Sequence, residues 1–311
     1  FFYFFIIKLK VIYNSIQQLV LIIMDFKEQL QENGYVVIPN ILSHDKVEHA
    51  LTLFHNWKST IENFDNIHSK ISPHGIIKTW GIGQQQHAWF IRTQPEVQQI
   101  FKDFYETDDL IVSYDGTCYI THDLYKKKKD NCWTHTDQAP SKSGFECLQG
   151  FIALTSNINT SLVVYEGSHK LHNSYFKSRN ICNKSNWNKI DPTYLDEIND
   201  TKRILNIEAG SLVLWDSRTF HQNQYGYPNC ENRIVQYICY LPRSHKKNTK
   251  AVTKKRQLYF DTIRTTSHWP CPLYVNGLQP RTWGDDSLVI NYERLVKPDL
   301  TPYMEDIIKL I

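Results

Sequence analysis

Long apolar runs are missing from this chain, and the stretch that comes nearest falls short. Residues 1–23 are rich in Phe, Ile and Tyr, yet Lys8 and Lys10 interrupt them. The uncharged run Val11 to Ile23 is 13 residues long and contains Asn14, Ser15, Gln17 and Gln18. A spanning helix takes about 20 mainly apolar residues. The charged start and small-residue cleavage point of a secretory signal are absent as well, and so is an initial Met. We read residues 1–23 as upstream sequence translated in frame, with the domain starting at Met24. A membrane anchor is the competing reading, and the mass of the native N-terminus separates the two.

Paired cysteine motifs are also missing. The seven cysteines (Cys118, Cys132, Cys147, Cys182, Cys230, Cys239, Cys271) are odd in number and include no Cys-x-x-Cys. That argues against a zinc ribbon or a disulfide framework and for reduced thiols in a cytoplasmic protein. Neither sign of charge dominates: 35 basic against 32 acidic residues leave +3, too little to imply a nucleic-acid partner. The basic stretch from Arg243 to Arg256 has no interleaved aromatics for base stacking and is expected to be solvated and partly flexible. No internal repeat is found.

What is present is ordinary globular material, 41% hydrophobic and 22% charged over 311 residues. Residues 24–311 read as a single domain. Its N-terminal part, 24–109, is expected to be largely helical. Asp25 to Asn33 is a helix stopped by Gly34, Tyr35 to Ile38 a strand, and Ser43 the cap of a second helix. Val47, Ala50, Leu51, Phe54 and Trp57 recur on one face of that helix, while His44, His49 and His55 fall at its surface. Residues 63–83 read as loop, Ala88 to Arg92 as extended, and Glu96 to Phe104 as a helix begun by Pro95. The pattern then changes. Leu110 to Ile120, Cys147 to Thr155, Ser161 to Tyr165, Arg203 to Ile207, Ser211 to Trp215 and Arg233 to Leu241 read as strands. Turn signals separate them, as at Asp115-Gly116 and Tyr227-Pro228. Such a run describes an antiparallel sandwich or barrel over 110–242. Within it, 172–201 is a polar insertion with a short helix at Thr193–Ile198, and 243–311 forms a C-terminal extension. The insertion and loop 63–83 are candidate substrate lids.

The chemistry is concentrated in few places. In Trp133-Thr134-His135-Thr136-Asp137-Gln138, an extended backbone points His135 and Asp137 to one side. An imidazole beside a carboxylate is two thirds of a facial metal triad, although about one His-x-acid triplet is expected by chance at this composition. Downstream, Gly210-Ser-Leu-Val-Leu-Trp-Asp-Ser-Arg-Thr-Phe-His221 is a strand, a turn and a histidine. Arg233 opens another apolar strand 12 residues later. We expect that strand to return antiparallel to the one carrying His221. A buried guanidinium needs an anion, either a structural carboxylate or the far carboxylate of a keto acid gripped in a bidentate fork. Secondary candidates are Gln149 and Phe151, facing inward as lining of the co-substrate pocket or as barrel filling, and Trp89, Arg92 and Arg218. His122 and His169 read as turn histidines, and Ser168-His169 as strand neighbours facing opposite ways rather than a nucleophile pair.

The order His135-x-Asp137, His221, Arg233 resembles the iron(II)/2-oxoglutarate dioxygenases and, within them, the phytanoyl-CoA dioxygenase family. Supporting blocks are Glu32-Asn-Gly-Tyr-Val-Val-Ile-Pro39, Leu162-Val-Val-Tyr-Glu-Gly-Ser-His-Lys170 and the segment 210–221. The resemblance spans roughly Asn33 to Leu241 and implies a mainly β fold, the double-stranded β-helix or jelly roll, with flanking helices. It implies Fe(II), O2 and 2-oxoglutarate, with His135, Asp137 and His221 as iron ligands and Arg233 on the distal carboxylate of 2-oxoglutarate. The expected activity is hydroxylation of a small organic substrate with release of succinate and CO2. Thr160-Ser161-Leu162 and Glu166-Gly167-Ser168-His169 depart from the family's usual Gly-x-Leu and Pro-Gly-Ser-His, which puts acyl-CoA specificity in question. Where relatives often carry a hydroxyl residue, Asn223 stands as a donor to the carboxylate. The reading from another class is a jelly-roll binding or structural protein without chemistry.

Overall fold

The computed structural model describes residues 26–121, 131–226 and 230–311. The segment 1–23, the start at Met24, Asp25 of the first helix, His122 and the turn at Tyr227-Pro228 lie outside the described residues. Among those described, no helix is long and apolar enough to cross a membrane.

The strands in chain order are β1 (Tyr35–Ile38), β2 (Ile76–Ile77), β3 (Leu110–Val112), β4 (Thr117–Ile120), β5 (His135–Thr136) and β6 (Leu148–Ala153). They continue with β7 (Leu162–Tyr165), β8 (Asn188–Lys189), β9 (Lys202–Ile204), β10 (Leu212–Asp216), β11 (His221–Asn223), β12 (Arg233–Ile238) and β13 (Tyr240–Pro242). A six-stranded sheet runs β1-β10-β6-β12-β4-β2, a five-stranded sheet β8-β5-β11-β7-β9, and β13 pairs with β3 alone. All pairings are antiparallel. No pairing joins the two larger sheets into a closed barrel among the described residues.

Alternation along the strands sorts the core into layers. Phe151, Ala153, Val213, Trp215 and Val235 of the large sheet meet Leu162 and Val164 of the smaller one in an interior cluster. On the outer face of the large sheet, Leu148, Ile152, Leu212, Leu214, Ile234 and Ile238 pack against the N-terminal helices. The helix His44–Ser59 buries Val47, Ala50, Phe54 and Trp57, as its periodicity predicts, and leaves His44, His49 and His55 exposed. Ser43 has cap geometry, but its side chain makes no cap bond.

Several expectations need correcting. Ala88 to Arg92 is not extended but lies in the helix Gln86–Arg92, buried almost throughout. A short run with no polar face reads the same at either period. Residues 63–83 are not all loop: they hold the helix Phe64–Ile71, which follows a left-handed Asn63, and the strand β2. The strand expected over Leu110 to Ile120 breaks into β3 and β4, and the one over Arg233 to Leu241 into β12 and β13. The two breaks face each other where the Ser113 N–H donates to the Cys239 carbonyl (2.9 Å). Ser168 and His169 open the helix Ser168–Ser178 rather than lying on a strand. They remain unpaired with each other: Ser168 Oγ accepts from the Phe220 N–H, and His169 meets the Gln31 carbonyl. The insertion helices pack Tyr175, Phe176 and Leu195 on the outer face of the five-stranded sheet instead of across a mouth. Nor is the basic stretch simply solvated. It enters the helix Lys250–Asp261, and Arg256 is fully buried on the carbonyls of Pro270, Val112 and Leu310.

Candidate metal centre

β5 and β11 are neighbours, with His135 directly opposite His221. Their rings stand 4.4 Å apart. Asp137 follows β5 and is held by its own N–H, which donates to the Ser217 carbonyl (3.0 Å), while the Thr136 hydroxyl donates to the same oxygen (2.9 Å). Asp137 Oδ2 thus lies 3.6 Å from His135 Nε2 and 3.4 Å from His221 Nε2. The three ligand atoms lie within 4.8 Å of one another and all three residues are buried, the one such group among the described residues.

The tautomers suit a metal. His135 Nδ1 meets the Trp133 carbonyl (3.2 Å) and His221 Nδ1 the Thr219 carbonyl (2.9 Å). A carbonyl only accepts, so each Nδ1 carries a proton, and each Nε2 is left as the nitrogen that faces Asp137 and that a metal would take. Burial, helped by the neighbouring His221, pushes His135 below the ordinary histidine range. Burial would raise Asp137, but the imidazoles of His268 and His135, with hydrogen bonds from His135 and His221, hold it well below the usual carboxylate range. Two imidazole nitrogens and a carboxylate oxygen are the donor set of a facial triad. Gln149, opposite Trp215 on β6, donates from Nε2 to Asp137 Oδ2 (3.1 Å). Trp133 and Trp187 stack on His135 at 4.9 and 5.5 Å, and His74 stacks on Trp133 at 3.8 Å. Each candidate lid therefore reaches the site through one ring: Trp187 from the insertion, His74 from the 63–83 segment.

Arg233 is placed differently from expectation. β12 does not pair with β11; it lies in the six-stranded sheet between β6 and β4, because the connection after Gln224 crosses from one sheet to the other. The side chain is fully buried. Its Nε donates to Asn157 Oδ1 (3.2 Å) and Nη1 to Cys118 Sγ (3.0 Å), while Nη2 is buried with no partner. No carboxylate forms an ion pair with it among the described residues. The other two buried arginines, Arg92 and Arg256, put their terminal nitrogens on backbone carbonyls. Phe151 lies under the Arg233 guanidinium, with its ring centroid 5.1 Å away. Asn223 donates to the Tyr237 hydroxyl (3.1 Å).

Three secondary candidates lie apart from this group. Trp89 is buried on Gln84, Arg92 holds the Gly83 and Asp115 carbonyls, and Arg218 chelates Asp216. Three residues escaped the sequence reading. Tyr237 was legible as the inward position two pleats beyond Arg233. Trp187 and His268 carry no local signal; His268 comes from the C-terminal extension, and its buried Nε2 has no partner.

Known proteins bear on this geometry. A family model described as Phytanoyl-CoA dioxygenase (PhyH) matches residues 30–224. "Ava biosynthesis cluster protein O" of Aspergillus versicolor is 28% identical over 272 residues, covering 79% of this chain and 86% of that one. A "Putative phytanoyl-CoA dioxygenase" of Dictyostelium discoideum is 23% identical over 282 residues, covering 74% and 79%. Among solved structures, HygX from Streptomyces hygroscopicus, with nickel and 2-oxoglutarate bound, superposes with a TM-score of 0.50 at 12% identity. The match covers 71% of this chain and 87% of that one, a likeness of fold.

Proposed function

This chain belongs to the phytanoyl-CoA dioxygenase family, and on that premise we propose that it is an Fe(II)- and 2-oxoglutarate-dependent oxygenase that hydroxylates a small organic substrate. His135, Asp137 and His221 are the iron ligands in this reading, and the facing sheets are the halves of a double-stranded β-helix. The observation that carries the co-substrate is Arg233. A fully buried guanidinium with an open Nη2 and no carboxylate partner among the described residues is costly unless an anion completes it. The far carboxylate of 2-oxoglutarate supplies that anion. The family's name does not fix the substrate, since the departures at 160–169 put acyl-CoA specificity in question.

Bound at the triad, ferrous iron would supply the activation of O2 coupled to decarboxylation of 2-oxoglutarate to succinate. The protein's part is positioning. Two Nδ1–H···carbonyl bonds fix the imidazoles, Gln149 fixes the carboxylate, and the apolar interior of Phe151, Val164, Val213 and Val235 keeps water away.

The test is iron-dependent conversion of 2-oxoglutarate to succinate by purified protein without prime substrate. Arg233→Met should raise the 2-oxoglutarate KM by on the order of 30-fold or more, the effect of losing a buried charged partner. Absence of both anaerobic metal binding and succinate release would instead favour a binding protein on the same fold.

A further inference from the structure

Arg233 presents only part of its fork to a carboxylate in this site. Of its nitrogens, Nε is spent on Asn157 and Nη1 faces Cys118, which leaves Nη2 open. A carboxylate has two oxygens and several lone pairs to fill in a buried site. Asn223 was the expected helper, but its amide is occupied. One N–H goes to Tyr237 Oη at 3.1 Å, and the other faces the His74 carbonyl (3.5 Å) and Cys118 Sγ (3.6 Å).

The bond to Tyr237 changes what the phenol can do. Its oxygen accepts from Asn223, so its own proton goes to another acceptor, and Cys118 and Arg233 are the groups within hydrogen-bonding reach of the hydroxyl. Tyr237 shares the inward face of β12 with Arg233, and both side chains address Phe151. The guanidinium lies 5.1 Å from that ring's centroid, and the Tyr237 ring meets it edge-on at 6.1 Å. Both also converge on one thiol, since Arg233 and Tyr237 each hydrogen-bond Cys118 and the amide that holds Tyr237 reaches the same sulfur. Burial pushes the Tyr237 phenol up, so the hydroxyl keeps its proton at neutral pH.

We propose that the Tyr237 hydroxyl is the second donor to the distal carboxylate of 2-oxoglutarate, and that Asn223 is a positioning residue acting through that hydroxyl. The inference rests on the reading of Arg233 given above. It makes the grip on the far carboxylate a two-sheet device: Arg233 and Tyr237 come from the six-stranded sheet, and Asn223 orients the phenol from the five-stranded one.

Binding, rather than turnover, tests it. With the protein loaded anaerobically with Mn(II), titration calorimetry should show Tyr237→Phe binding 2-oxoglutarate about 10- to 100-fold more weakly, the loss of one hydrogen bond to a charged group. Pyruvate has the same keto-acid head without the far carboxylate and should bind wild type and Tyr237→Phe alike. Asn223→Leu should weaken 2-oxoglutarate less than Tyr237→Phe, and should add nothing in the Tyr237→Phe background. If Tyr237→Phe fails to fold, Asn223→Leu carries the same comparison with the phenol in place. Unchanged 2-oxoglutarate affinity in Tyr237→Phe, beside a large loss in Arg233→Met, overturns this proposal and leaves the proposed function standing. An equal loss for pyruvate also overturns it. Unchanged affinity in Arg233→Met overturns both.

Discussion

At the scale of single residues, the site depends on orientation as much as on donor identity. Asp137 Oδ2 faces two imidazoles and accepts from Gln149 Nε2. Remove the amide and the carboxylate is free to turn, although all three donors remain. Gln149→Leu should therefore weaken Fe(II) or Co(II) binding about 10- to 100-fold, the usual effect of losing an outer partner of a metal ligand. Anaerobic metal titration measures it, and an unchanged affinity would mean the amide is incidental. His135, Asp137 and His221 were legible in the sequence because side-chain alternation and one recurring block mark them. Gln149 was legible only as inward-facing. Its contact with Asp137 depends on β6 lying beside β10, a pairing between residues more than sixty positions apart.

At the scale of elements, the helix Gln86–Arg92 ties the N-terminal helical part to β4 through histidine. His87 Nε2 bonds Thr117 Oγ1 (3.0 Å), and that hydroxyl donates to Gln236 (2.7 Å), so the imidazole is the donor and neutral. Burial, with the charge of Arg92, pushes His87 down to about 3. Burial likewise takes His68, on the Tyr119 carbonyl, down to about 4. Both shifts are downward, so the unfolded chain binds protons that the folded one refuses once the pH falls below about 6.5. The stability these histidines contribute is full above that value and is lost as pH falls toward about 4 for His68 and about 3 for His87. Tm should drop between pH 6.5 and 4, and His87→Gln should flatten that slope relative to wild type. A variant that keeps the full slope would place the acid sensitivity elsewhere. The helix itself was misread as extended, since Ala88, Trp89, Ile91 and Arg92 are all buried and leave no polar face to reveal the period.

At the scale of the whole molecule, the C-terminal extension is part of the core rather than an appendage. The helix Met304–Leu310 buries Ile307 and Leu310 in the same cluster as the outer face of the large sheet. Its last carbonyls accept from Arg243 and Arg256, so the basic residues expected in solvent anchor the chain's end. Ile307→Ala should cost about 2–5 kcal/mol of stability through the cavity it leaves, read as a lower urea midpoint, with metal affinity unchanged. A midpoint within error of wild type would show this end to be dispensable.

The sequence by itself determined some local facts: the buried face of the helix His44–Ser59, that an imidazole and a carboxylate sit one pleat apart, and that a family block ends in His221. Those follow from periodicities of two and 3.6 and from short blocks, which need no knowledge of distant contacts. Only the tertiary structure decided which strand lies beside which. It put Arg233 on the sheet opposite His221, engaged Asn223 with Tyr237, brought His268 from the far end of the chain to Asp137, and broke two long strands opposite one another at Ser113 and Cys239. Strand pairing across the chain is settled by the burial of whole faces, and no local pattern of residues encodes its outcome.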